Sequence, residues 1–188
     1  MLFKTNKLLK AFPTELKEDV SRVLSMIKQS NKLDFSSGFE VDFSGSKLII
    51  PERIYMNEPS LLQYNTLTDR QQVVLNCLFT RHHVGFIREE HLKKIINQCN
   101  DYNWIIPYII QLTGEYVIEI LQVIKVNLDS IDKSIIKEFI AENATFYNTI
   151  ESRVISYWNC NYRSKYPAIT DYVGYEIIEY FNAKSSLY

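Results

Sequence analysis

TDRQQVVLNCLFT, residues 68–80, is the stretch on which the fold turns. Thr68 and Gln71 stand at capping-box spacing: the hydroxyl accepts from the N3 amide and the glutamine side chain returns to the cap. Val74, Leu75, Leu78 and Phe79 follow at helical spacing, so a helix is predicted from Thr68 to about Thr80 with these four turned inward. The chain downstream keeps the helical period. Gly85 punctuates it, and a second helix is predicted over 87–98. Pro107 suits the first turn of a third helix and Gly114 its end. Residues 115–126 predict a fourth that is apolar almost all round (Val117, Ile118, Ile120, Leu121, Val123, Ile124, Val126), hence central. More helices are predicted at 131–143, 145–160 and 168–182, with Gly174 a candidate break in the last.

Upstream of the stretch, Leu16, Val20, Val23, Leu24 and Ile27 predict a helix over 14–30, with Thr14 as N-cap after Pro13. The period then changes. Phe39, Val41 and Phe43 alternate with Glu40 and Asp42, Ser44-Gly45-Ser46 follow, and Lys47 to Ile50 form a second β-type run ended by Pro51. That is a hairpin. Residues 52–67 are expected to be an ordered connection, with Ile54, Tyr55, Leu61, Leu62 and Tyr64 reaching back to the core. The expected fold is therefore mainly α: about seven helices in antiparallel pairs, a helical-repeat-like bundle, with one small β-hairpin near 39–50. It is expected as a single domain over 1–188, with helix, hairpin and connection in 1–67 and the helical body in 68–188.

A chain of 188 residues can bury about 70% of its unfolded surface, so stability requires neither disulfide nor metal. Only five glycines and five prolines occur, which argues for long helices over a loop-rich all-β fold. The net charge of −1 supplies no global field toward nucleic acid or anionic membrane. The charge is uneven, however. Lys4, Lys7, Lys10, Lys17, Arg22, Lys28 and Lys32 face only Glu15, Glu18 and Asp19 at the start of the chain. A solvated helix face accounts for this better than a polyanion contact. Cys77, Cys99 and Cys160 are widely spaced and never in C-x-x-C, as expected of reduced thiols in a cytoplasmic protein. Lysines interrupt any secretory core in the first dozen residues, and the apolar stretch from Trp104 to Leu128 is too broken to span a bilayer.

The short helices in antiparallel pairs, the arginine just after a glycine turn in Gly85-Phe86-Ile87-Arg88, and the helix opened by Pro107 make residues 69–126 resemble HEAT-type helical repeats. The resemblance implies a stacked-helix body that binds a partner on one face.

The segment from Arg81 to His91 concentrates chemistry, because it holds all three histidines: His82, His83 and His91. A metal-dependent enzyme centred on His82, His83, Glu90 and His91 is the sharpest reading, since imidazole and carboxylate suit first-row metals. The spacing matches no helical ligand pair. A helix–turn–helix elbow explains the segment better. Arg81, His82 and His83 sit at a helix C-terminus, and Glu89 and Glu90 are expected in the first turn of the next helix, each matching its dipole. Glu115 and Glu119 lie one turn apart on the most apolar helix, so each must reach solvent or meet a cation, with Arg81 and Arg88 the natural partners. The aromatic residues of the last third fall mostly on helical spacing, which favours core or interface over base stacking. No P-loop, G-x-G-x-x-G, G-x-S-x-G or kinase pattern is present.

The expected function is a non-enzymatic cytosolic interaction protein of helical-repeat type that neutralises or scaffolds a protein partner, with no cofactor, metal or membrane. The metal-dependent enzyme is the first alternative. A nucleic-acid binder using the basic N-terminal helix is the second. The polar junction of Arg81, His82, His83, Arg88, Glu115 and Glu119 is the feature to test. Glu115→Gln is expected to lower stability by about 3–5 kcal/mol, as loss of one member of a buried ion pair does. An exposed pair would cost under about 1 kcal/mol. Adding Arg88→Met should recover part of the loss in denaturant unfolding. Unchanged stability with a lost partner interaction would instead make the junction a functional site.

Overall fold

The structure is a computed structural model that describes residues 7–30 and 35–183, without the side chains of 28–30. It is mainly helical with one antiparallel hairpin. The chain divides into two compact units, Met1–Ile95 and Ile96–Tyr188.

The first unit contains α1 (Lys17–Ser30), β1 (Gly38–Phe43), β2 (Ser46–Pro51), α2 (Leu61–Tyr64), α3 (Asp69–Phe79) and α4 (Gly85–Ile95). Thr14 does not cap α1. It opens a 3-10 turn, Thr14–Leu16, whose cap position is Pro13 with no side-chain bond. The expected inward residues of α1, Val20, Val23, Leu24 and Ile27, are all buried. α1 packs on α3, which packs on α4. The starts of α1 and α3 are tied by Asp19, which accepts from Arg70 Nε at 2.6 Å and from Gln71 Nε2 at 3.0 Å. Gln71 also completes the capping box with Thr68. In the hairpin, Val41 pairs with Leu48 and Phe43 with Ser46 across the two-residue turn Ser44-Gly45. Both turn residues have positive φ, 49° and 74°. That is the primed turn which matches the right-handed twist of paired strands.

The connection after β2 differs from expectation. Ile54 is fully buried, but Leu61 and Leu62 are 73% and 82% exposed and Tyr55 is half exposed. The reason is local: Ser60 and Gln63 form a second capping box, which turns the chain into α2 and leaves both leucines outward.

The second unit contains α5 (Ile106–Thr113), α6 (Ile118–Asn127), α7 (Lys133–Glu142), α8 (Ala144–Tyr157) and α9 (Val173–Asn182). Pro107 and Gly114 do mark the start and C-cap of α5. Every residue of α5 is buried, and it packs against α6, α7 and α8. The central helix is therefore α5 and not α6, where Ile120, Leu121 and Ile124 are buried but Val126 is 79% exposed. Lysine, glutamine and glutamate on the outer side give α6 a wet face despite its composition. A π-helical segment, Trp158–Tyr162, extends α8, and its Cys160 is exposed while Cys77 and Cys99 are buried. Gly174 does not break α9. It lies in the first turn, where a Cβ would come within 2.7 Å of the Tyr172 ring, so packing demands glycine there. Among the described residues no helix is long and apolar enough to cross a membrane.

A Cβ added at Gly45 would meet no heavy atom within 4 Å, so only the backbone requires glycine there. A branched side chain in the left-handed region costs about 1–2 kcal/mol. Gly45→Val is thus expected to lower unfolding free energy by about that amount, measured by urea denaturation. A neutral result would mean that the turn relaxes to another type.

Candidate functional site

Within the first unit, the strap after β2 (residues 52–60) and the elbow between α3 and α4 (residues 80–84) are laced together. Ile54 N–H donates to the Arg81 carbonyl at 2.9 Å, and His83 N–H donates to the Ile54 carbonyl at 3.0 Å, making a parallel bridge beside the helix end. Neither segment is regular, so their carbonyls need other donors. Arg81, fully buried, donates from Nε to Pro51 O at 3.2 Å and from Nη2 to Glu52 O at 3.0 Å. The Glu52 carboxylate lies 3.9 Å from Nη2. Arg88, also buried, donates from Nη1 to the carbonyls of His82 and His83 at 2.8 and 3.2 Å. The elbow is thus held by guanidinium N–H groups on backbone oxygens, two nitrogens of Arg81 and one of Arg88.

The histidines fall into three environments. His82 is buried; its Nε2 donates to the Met56 carbonyl at 2.9 Å, and its Nδ1 accepts from Val84 N–H at 3.1 Å. Both nitrogens are therefore used by the neutral ring. Burial pushes its pKa down, outweighing the opposing pull of the Met56 carbonyl. His83 is exposed, with Nδ1 3.3 Å from the Ile54 carbonyl and its ring stacked on Tyr55 at 5.1 Å.

His91 is the most connected. Its Nδ1 lies 2.8 Å from Asn76 Oδ1, its Nε2 lies 2.8 Å from Glu58 Oε1, and Asn76 Nδ2 lies 3.1 Å from the Tyr64 hydroxyl. With Asn76 Oδ1 facing Nδ1 and the Glu58 carboxylate facing Nε2, the ring must donate from both nitrogens and carry a charge. Burial opposes this and pushes the His91 pKa down to about 4, against the upward pull of Glu58. Exchanging the two similar ends of the Asn76 amide satisfies every group with a neutral ring. The Tyr64 hydroxyl then donates to Asn76, Asn76 to His91 Nδ1, and His91 Nε2–H to the Glu58 carboxylate. This run joins α2, α3 and α4 to the strap.

The four residues of the metal reading do not converge. His82 and His91 have their nitrogens engaged as described, and Glu90 pairs with Lys93 at 3.0 Å on the face of α4. Among the described residues no group of three or more His, Cys, Asp or Glu is placed to hold a metal ion. Glu89 and Glu90 are not in the first turn of α4, which begins at Gly85; Glu89 meets Lys93 at 2.7 Å as an i,i+4 pair. Glu115 is buried in the second unit just after α5, whereas Glu119, one turn further on, is exposed and reaches solvent. Sequence reasoning missed Glu58, Asn76 and Tyr64. Two signals were available: the S-x-x-Q pattern from Ser60 to Gln63, and a lone amide, Asn76, within the wholly buried run Val73–Phe79.

Comparison with protein-family models, curated proteins and solved structures found no match for this chain.

His91 yields a pH expectation. Its folded pKa of about 4 lies below the unfolded 6.5, so the unfolded chain takes up the proton first. The stability this supplies is complete above about pH 6.5 and is lost as pH falls toward 4. His91→Gln is expected to remove much of that slope in unfolding measured across the window, leaving the smaller share from His82. An unchanged slope would place the titrating groups elsewhere.

Proposed function

We propose that the chain is a non-enzymatic interaction protein that neutralises or scaffolds a protein partner, through the strap-and-elbow face of the first unit. The observation that carries this reading is a set of large apolar side chains exposed on a frame fixed by buried polar bonds. Leu61 and Leu62 stand outward on α2, Phe86 is 67% exposed on the first turn of α4, and Tyr55 lies over His83. Scattered exposed apolar residues are ordinary. Here they stand on segments that the polar bonds tie together, and we read them as recognition anchors. Aromatic and aliphatic anchors that are already ordered bind without a large ordering cost. The contact of Glu58 with His91 ties the strap just before α2 to α4. The resemblance of residues 69–126 to HEAT-type repeats points in the same direction.

The other readings have less behind them. For the metal-dependent enzyme, the buried imidazoles spend their lone pairs on protein groups. For the nucleic-acid binder, the net charge of −1 supplies no global field toward a polyanion.

The triple substitution Leu61→Ser, Leu62→Ser, Phe86→Ser is expected to leave the circular dichroism spectrum and midpoint of unfolding unchanged. Affinity for a partner recovered by cross-linking to the native chain should fall at least about tenfold, the scale of hot-spot loss. Retained affinity would move the interface elsewhere.

A further inference from the structure

The chain that leads into α1 runs beside β2 and is pinned to it where Ile49 N–H donates to the Lys10 carbonyl at 2.7 Å. Between the two lies a hollow of about 560 Å³. Its floor is apolar: Phe12 and Leu48 are buried, and Leu9 and Ile49 are half-buried, with side-chain surface still open to water. Its rim is cationic. Lys10, Lys17 and Lys47 stand there against one carboxylate, Glu40, which lies 3.8 Å from Lys47. Among the described residues Lys10 and Lys17 enter no ion pair. Thr14 adds a hydroxyl to the same wall. Solvated lysines need no partner, so their charge alone argues for nothing. The informative feature is two unpaired ammonium groups over an apolar floor wide enough for a small molecule.

We propose that this hollow binds a single-chain anionic amphiphile, a fatty-acid carboxylate of medium length. Small-molecule sites of about 300–1,000 Å³ combine a mostly apolar wall with a few polar groups that fix orientation. The alkyl tail would cover the open surface of Leu9 and Ile49, and the carboxylate would meet Lys10 and Lys17, whose stems run along apolar surface as lysine stems do. Glu40 repels a carboxylate on the Lys47 side, so the head points toward the start of α1. An inorganic anion gains only the lysine contacts and a neutral alkyl chain only the wall. The amphiphile gains both. The site goes beyond the partner interaction proposed for the strap-and-elbow face and shares no residue with it, so either can fail without the other.

The test titrates the full chain with octanoate, decanoate and dodecanoate, each as the monomer, in a calorimeter. One molecule per chain is expected to bind, with affinity rising by up to about fourfold per methylene, the measure of burying one CH₂. Dodecyltrimethylammonium, with the same tail and the opposite charge, should bind at least about tenfold more weakly than dodecanoate. The double variant Lys10→Gln, Lys17→Gln alters two exposed side chains and should weaken dodecanoate at least about tenfold, with the circular dichroism spectrum unchanged. Nitrogen–proton spectra should place the largest shift changes at Thr14, Lys47 and Ile49. The triple variant at Leu61, Leu62 and Phe86 should bind dodecanoate normally. The proposal is overturned if dodecanoate does not bind at millimolar concentration, if the cationic amphiphile binds equally well, or if the shift changes gather at Leu61 and Leu62. It is also overturned if equimolar acetate displaces dodecanoate, which would leave a site for small anions only. Lysine-dependent capture by phosphatidylglycerol vesicles in place of the monomer would overturn it as well, by assigning the lysines to a membrane surface.

Discussion

The guanidinium groups of Arg81 and Arg88 bear on backbone oxygens where the first unit is least regular. A helix that ends inside a protein leaves carbonyls without intrahelical partners, and so does a strand that stops beside it. Arginine answers both needs, because its planar fork spans neighbouring oxygens and its charge strengthens each bond. A lysine in place of Arg81 would offer a point charge to a site shaped for a fork. With Pro51 and Glu52 held by Arg81, the strap runs beside the elbow, Ile54 bridges it, and Met56 reaches His82. Glu58 then falls within reach of His91. The position of each later group depends on the earlier ones.

Much of the fold was legible because its signals are local. The box of Thr68 and Gln71, the alternation from Phe39 to Phe43, and the Pro107 and Gly114 pair each act within a few residues, where sequence spacing equals spatial spacing. Leu61, Leu62 and Val126 depart from expectation for one shared reason. Apolar character does not imply burial, since roughly half of a protein's surface is apolar. α6 shows the same point at the scale of a helix. Mean apolarity does not distinguish a helix covered on all sides from one with a wet stripe.

The polar site was less legible. Arg81, His82, His83 and Arg88 drew notice as a cluster in sequence, but their partners are carbonyls on the strap and within the elbow, and backbone oxygens carry no sequence signature. Glu58 and Asn76 lie far from His91 along the chain, so no periodicity could join them. A buried amide at Asn76 was the available clue, since a polar group in that position must have a partner. The partner's identity came only from the fold.

The cysteines have a practical corollary. Burial pushes the Cys99 thiol up to about 12, and Cys77 has no exposed surface. Cys160 stands in the open on the π-helical segment that extends α8. Alkylation requires a thiolate that a reagent can reach. A maleimide fluorophore added to the native protein would therefore attach at Cys160 first. The chain carries its own address for a single label, and emission from that position would report on the geometry of the π-turn without any engineered residue.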